Sequence, residues 1–396
     1  MSETSRSVLV NAIVARSIDE SHRAATPLEL FYDLIYVVAI ASLAAELHHA
    51  LSAWHHVGHA IWMYLFIFFC IWWPWNSYTW FASGFDTDDA QFRVASFTQM
   101  VGVIIIAAGV KPAFVDNDFL IMMIGYVVMR VPYILMWLKV ARDDARSRPV
   151  AIRYAAGVFL VQAAWALGVL YFQNWNLFIA LVLFELLVPY LAERSLDKGL
   201  NTRYHCGHIE ERLGLLTIIV LGESMLASAY AFETIFAHYS PELLMVVVGS
   251  TLVLFSMWWL YFDDRVEAEL GSETKAFVWG YGHYFVFLFA TAVGALISVN
   301  VDVQSNHAEI SNHYAVTGLA LAIAGYLVSV WAVHDSLLAK SGLEAVELPL
   351  LAVAVIAIAV LFETVLLIGL AFVTLNAIRL VRKHRQPTGP IGEGAE

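Results

Sequence analysis

The sequence predicts an all-α polytopic membrane protein, with about 12 transmembrane helices arranged as two parallel six-helix repeats. Three observations carry this. Of 396 residues, 60% are hydrophobic and only 14% are charged, against about 25% charged in soluble domains, and the mean hydropathy is +0.70. Apolar stretches recur at the roughly 20-residue length that a helix needs to cross a bilayer. Lysine and arginine crowd alternate loops, the asymmetry that marks cytoplasmic loops.

Taken in order, the spans fall at about 28–47, 58–81, 93–111, 118–141, 151–172, 175–193, 208–231, 241–262, 276–299, 314–338, 346–361 and 364–381. The last two form one apolar run broken only by Phe362-Glu363, too long for one span and tight for two. Loop charge decides between them. Arg6, Arg16 and Arg23, then Arg93, the stretches Arg142 to Arg153 and Arg194 to Arg203, Arg265, Lys275 and Lys340 all fall on one side, whereas the opposite loops hold Lys111. The N-terminus is therefore expected in the cytoplasm, and the cluster Arg379, Arg382, Lys383, Arg385 expects the same of the C-terminus, which requires an even number of spans. The expected organisation is a cytoplasmic N-terminal segment (1–26), a first repeat (27–200), a second repeat (201–383) and a cytoplasmic tail (384–396).

Internal similarity predicts the repeat. When Glu29 is laid on Glu211, Ser42 falls on Ser224; Gly125-Tyr126-Val127-Val128 has a counterpart in Gly325-Tyr326-Leu327-Val328; and the pairs Trp72-Trp73 and Trp258-Trp259 are each followed by Phe-Asp. Six helices is an even number, so both halves begin on the same side, as parallel repeats do.

Composition also narrows partners. A net charge of −12 repels nucleic acid, and two cysteines, Cys70 and Cys206, provide neither a disulfide framework nor a cysteine metal site. The lipid bilayer is the expected partner, with a small solute or cation of unidentified kind. No cofactor is expected, and oligomeric state is left open.

Ionisable residues inside apolar spans are costly and are functional candidates by default. Glu29 and Asp33, four apart, share a helix face near the start of the first span, with Glu46 further along it. They could bind a cation or pass a proton, or Glu29, like Glu210 and Glu211, could cap a helix N-terminus. Arg130 is the deepest cation and needs an internal partner, for which Glu223 and Glu185 have suitable depth. A clamp between helices and a gating role are both open to it, and Pro132 frees backbone carbonyls beside it. Glu223, next to the small Gly222, is the first-choice functional carboxylate. Arg212 shares its face but lies eleven residues, about 16 Å, away, too far to pair. Ser224 lacks the elbow motif of a nucleophilic serine.

Histidines cluster on the side opposite the basic loops: His48, His49, His55, His56 and His59, with His238, His307 and His313 elsewhere. Imidazoles titrate near neutrality and bind transition metals, so a pH-sensing or metal-collecting mouth stands beside the plainer reading of solvated interfacial residues. Phe85-Asp86-Thr87-Asp88-Asp89 lacks the Gly and terminal Glu of a calcium loop and reads as a turn that caps the third helix.

Glu29-Leu-Phe-Tyr-Asp-Leu-Ile-Tyr-Val-Val-Ala-Ile40, Thr79-Trp80 with Phe85-Asp86-Thr87-Asp88-Asp89, and Glu211-Arg212-Leu-Gly-Leu with Leu221-Gly222-Glu223-Ser224 resemble the bacterial low-temperature-requirement A (LtrA) family over nearly the whole chain. Tyr32 stands where the family often has Phe, and Ser83 where it often has Asn. The resemblance implies a bacterial inner-membrane protein and no defined reaction. Phe31-Tyr32-Asp33 and Ala39-Ile40 are also similar to the first helix of proton-blocked potassium channels built from six-helix repeats. The function expected is a secondary transporter or ion-permeation protein using buried carboxylates and an intramembrane arginine; a membrane enzyme or lipid-handling protein, and a structural or stress-response protein without transport, are the alternatives.

Overall fold

The computed structural model describes residues 10–17, 23–194, 202, 204–237, 239–263, 273–338 and 340–385. Arg6, Arg203, Arg265, His238 and the tail beyond Arg385 lie outside them.

The described residues form twelve α-helices and no strand: α1 (Pro27–Ser52), α2 (Val57–Phe85), α3 (Ala90–Asp116), α4 (Leu120–Asp143), α5 (Arg148–Leu167), α6 (Trp175–Glu193), α7 (Cys206–Ala237), α8 (Pro241–Phe262), α9 (Glu273–Gln304), α10 (Asn312–Val330), α11 (Glu347–Phe362) and α12 (Val365–Arg385). Eleven are long and apolar enough to cross a membrane, and α11 is a shorter apolar helix. The apolar run at 346–381 thus makes two helices, because Glu363 takes a left-handed φ of 50° and ends the first.

Local chemistry sets several helix starts. Before α1, Thr26 and Glu29 form a reciprocal capping box: the Thr26 hydroxyl accepts the Glu29 N–H at 3.2 Å and the Glu29 carboxylate accepts the Thr26 N–H at 2.8 Å. Pro27 fills the first helical position, where its missing N–H costs nothing. The acidic turn behaves as the sequence predicts, for Asp89 caps α3 by accepting the Phe92 N–H at 2.8 Å. Ser240 does the same for α8 through Leu243 at 3.0 Å. Gly168–Phe172 and Trp331–Asp335 are single π-helical turns that extend α5 and α10.

The chain divides into two compact units. The first comprises residues 1–47, 56–220 and 272–280, and the second comprises 48–55, 221–271 and 281–396. Within the first, α3 and α4 pack backbone to backbone: a Cβ on Gly102 would lie 2.6 Å from the Gly125 carbonyl oxygen. Small residues allow such approach where lipid supplies no hydrophobic drive. Within the second, α8 and α12 meet similarly, a Cβ on Gly369 falling 2.7 Å from the Gly249 carbonyl oxygen.

Candidate functional site

In the first unit the opening turns of α1 and α7 bring four ionisable groups together. Glu29 and Asp33 are one helical turn apart on α1, and His208 and Arg212 are one turn apart on α7, so each helix presents its pair on a single face. All four are fully buried. The Arg212 guanidinium grips Asp33 with Nη2 to Oδ1 at 2.6 Å and Nε to Oδ2 at 3.2 Å, a two-point geometry available to arginine and not to lysine. Its third nitrogen, Nη1, lies 2.9 Å from Glu29 Oε1. Trp75 of α2 donates to Asp33 Oδ1 at 2.6 Å. His208 Nε2 is 3.2 Å from Glu29 Oε1, and its other nitrogen, Nδ1, is buried without a hydrogen-bond partner.

Two carboxylates against one guanidinium leave this group at −1 if His208 is neutral and at zero if it is protonated. The neutral imidazole with its proton on Nε2 fits the contacts; a second proton on Nδ1 would find no acceptor in place. Charging His208 is thus coupled to movement or water entry.

Arg130 and Glu185 form a separate pair. Of the two carboxylates considered for Arg130, Glu185 is the one it meets, Nη2 to Oε1 at 2.7 Å. Trp165 donates to the other oxygen at 3.1 Å, and Tyr126 and Tyr133 lie 5.7 and 5.6 Å below the guanidinium. A buried polar string runs from Tyr32 and Tyr36 of α1 to Gln99 of α3 and Met129 of α4. Tyr32 stacks on Tyr78 at 3.9 Å and donates to Gln99 at 3.2 Å; its hydroxyl is 3.2 Å from that of Tyr36, which donates to the Met129 sulfur at 3.1 Å.

The other candidates are placed as follows. Glu223, on the part of α7 belonging to the second unit, is partly exposed and makes no hydrogen bond or ion pair with a described residue, as does Glu46 on α1. Glu211 accepts the Ala25 N–H at 3.0 Å and so fastens the chain entering α1. Among the outer histidines, His48 Nε2 meets Asp302 at 2.7 Å, and Ser52 donates to the same oxygen at 2.9 Å. His49 stacks on His48 with centroids 5.0 Å apart, and His55 is 3.4 Å from Glu309 with both exposed. His56 begins α2 with a left-handed φ of 51°, and His59 is exposed. Among the described residues no group of three or more His, Cys, Asp or Glu side chains could hold a metal ion.

Sequence reasoning passed over His208, Trp75 and Asp302. His208 was detectable as the residue one turn before Arg212, whereas Trp75 is one aromatic among many in α2. It also passed over a network in the second unit, where buried Arg379 meets Asp263 at 3.2 Å and Glu347 at 3.1 Å, with Asp335 at 3.6 Å.

Outside the spans, Asp86 follows α2. Burial and the nearby charge of Glu29 push its carboxyl up to about 6, against the Asp88 N–H and the cations Arg16 and Arg23, which pull it down. Arg23 is held in turn by the Ala82 carbonyl at 2.6 Å and by that of Ser83.

Buried arginines matched by carboxylates within long apolar helices define a polytopic helical membrane protein with internal charge centres. The chain belongs to a family within that class: the model of the bacterial low temperature requirement A protein (LtrA) matches residues 24–379. An uncharacterized protein of Rhizobium meliloti (strain 1021) is 29% identical, with 67% of each chain covered. The family match takes in every charged residue of both centres.

Proposed function

We propose that the protein is a secondary transporter or ion-permeation protein of the bacterial inner membrane, in which the Glu29–Asp33–Arg212–His208 group takes up and releases a proton as a small solute or cation passes. The observation that carries the reading is the imbalance of that group, two fully buried carboxylates on one guanidinium. A stray negative charge away from water is expensive; buried Arg23 is a further cation near His208, and a proton on His208 or a passing cation would shift the balance further. Tyr32 and Tyr36 of α1 and Gln99 of α3 supply hydroxyl and amide groups for solute or proton contact. Glu223, whose carboxylate has no ion pair among the described residues, is the further acidic contact, while Arg130–Glu185 clamps α4 to α6.

The Lys/Arg asymmetry supports cytoplasmic termini and hence a charge group near the cytoplasmic end of α1. Parallel six-helix repeats are supported by matched tyrosines: Tyr126 of α4 donates to the Cys70 carbonyl on α2, and Tyr326 of α10 donates to the Met257 carbonyl on α8 at 2.9 Å. Alternating access of one repeat against the other follows from such symmetry.

The test is reconstitution into liposomes and measurement of currents evoked by steps between about pH 5 and 8, with a panel of inorganic cations and small organic ions. Wild-type protein is expected to give a pH-dependent current for at least one of them, lost in His208→Gln and in Glu223→Gln with both variants folded in the membrane. Currents and changes of internal pH both no larger than those of protein-free liposomes across the whole panel would refute the reading.

A further inference from the structure

We propose that residues 10–17 are a detachable strap, seated in an extended-peptide site at the α2–α3 and α4–α5 turns of the first unit, from which a separate peptide of the same pattern can displace them. The segment has neither helix nor strand, and exposure alternates along it: Val10, Ala12 and Val14 are exposed, whereas Asn11, Ile13 and Ala15 are covered to a greater degree. A period of two belongs to an extended chain with one edge turned inward.

Along that edge each backbone N–H donates to a carboxylate: Asn11 to Asp89 at 2.6 Å, Ile13 to Asp143 at 3.2 Å and Ala15 to Asp144 at 3.1 Å. The Asn11 carbonyl accepts from Lys139 at 2.6 Å. The Arg16 N–H donates to the Gly84 carbonyl at 2.9 Å, and its guanidinium lies 3.6 Å from Asp86. Recognition therefore falls on the main chain, whose N–H every residue but proline offers. Two side chains add selectivity. Ile13, 2% exposed, forms one wall of a cavity of about 320 Å³ with Phe92 and Ala95 of α3 and Pro132 and Met136 of α4, and Arg16 supplies the cation. The ligand class is thus an extended peptide with an apolar residue followed three positions later by a basic one.

The turns aim these carboxylates without help from the strap. Asp89 Oδ1 is taken by the Phe92 N–H at 2.8 Å, Asp143 Oδ1 by Arg142 at 2.7 Å, and Asp144 Oδ1 by the N–H groups of Arg146 and Ser147 at 2.9 and 3.3 Å, with the Ser147 hydroxyl on Oδ2 at 2.8 Å. In all three the strap bonds to Oδ2, so the seat is shaped before a peptide arrives, and preorganisation of this kind favours binding. N–H groups on ionised carboxylates make the stronger class of hydrogen bond. The strap itself buries little, for beyond Ile13 its large apolar side chains, Val10 and Val14, are 53% and 52% exposed. Its advantage is the tether, which a free peptide overcomes at sufficient concentration. This site stands independently of the transport reading.

The probe is a fluorescent synthetic peptide of residues 10–17, followed by anisotropy against the full chain in phosphatidylcholine nanodiscs, with empty nanodiscs as the blank. Ile13→Pro deletes the N–H that meets Asp143 and shortens the side chain in the cavity, so it loosens the tethered strap, and this protein should bind the peptide at least about tenfold more tightly than wild type does. Peptide N-methylated at Asn11, Ile13 and Ala15 should lose at least about tenfold in affinity. Methylation at Ala12 and Val14, whose N–H groups have no partner among the described residues, should cost less than about twofold. A second measurement leaves the strap's backbone intact. In the full chain carrying Ile13→Cys, maleimide labelling at that position, read by mass spectrometry, should rise at least about threefold with the unmodified peptide in excess, and not with the peptide methylated at all three inward residues. Binding to the Ile13→Pro protein no greater than to empty nanodiscs, equal affinities of the two methylated peptides, or labelling indifferent to the peptide would overturn the proposal; should Ile13→Pro fail to fold, the labelling alone decides.

Discussion

Arg212 and Arg130 are both buried arginines of the first unit, 0% and 2% exposed, yet their surroundings balance charge differently. Arg130 meets one carboxylate whose second oxygen is taken by an indole, and its own face rests on two tyrosine rings. That centre is closed, one charge against one. Arg212 meets two carboxylates, and a histidine leans on one of them. Taken by themselves these side chains set two carboxylates against one guanidinium, with the charge of His208 as the remaining variable. Depth in an apolar helix therefore does not by itself distinguish the two centres; the count of carboxylates per cation does.

The comparison breaks most readily at Arg212. Arg212→Met leaves two uncompensated carboxylates, and the loss is expected at or above the upper end of the about 3–5 kcal/mol for breaking a buried pair, enough to keep the protein from accumulating folded in detergent-resolved membranes. Adding Glu29→Gln and Asp33→Asn should restore folding and not current, and recovery of current in that triple variant would make this centre a second clamp.

Arg130→Met or Glu185→Met alone should cost about 3–5 kcal/mol of thermal stability for the same reason, whereas the two together should recover most of it. Here activity is expected to return with stability. A stable but inactive double variant would move Arg130 from clamp to mechanism.

Asp86 sharpens the comparison because its titration reports the charge of Glu29. Its folded value near 6 stands about two pH units above the ordinary 3.9, worth about 3 kcal/mol. The folded state therefore holds the proton more tightly than the unfolded chain, so this stability is complete below about pH 4 and is lost as pH rises through 6. Unfolding measured across that range should show the loss in wild type, little of it in Asp86→Asn, and a narrower window in Glu29→Gln. An unaltered window in Glu29→Gln would mean that Glu29 is not charged.

The smallest effect is expected at His48, which meets Asp302 one to one in the second unit. His48→Gln should cost about 1 kcal/mol of thermal stability, because it removes the contact with Asp302. A melting temperature unchanged in His48→Gln would mean that this contact adds nothing to stability.

The sequence by itself determined the membrane class and the twelve helices, because a bilayer imposes length and apolarity on each span separately and those properties are local to the chain. It also pointed to Glu29, Asp33, Arg130 and Glu185, since a charge in an apolar segment is conspicuous wherever that segment packs. Partnership was decided by tertiary structure alone. Asp33 and Arg212 are 179 residues apart, Arg130 and Glu185 are 55 apart, and helical periodicity fixes only which residues of one helix share a face. Which faces meet depends on side-chain volumes and close backbone approaches summed over many helices, such as Gly102 on Gly125. That is why Glu223, as deep as any carboxylate by residue count, has no ion pair among the described residues, while His208, an ordinary residue near a helix start, became part of the charge centre.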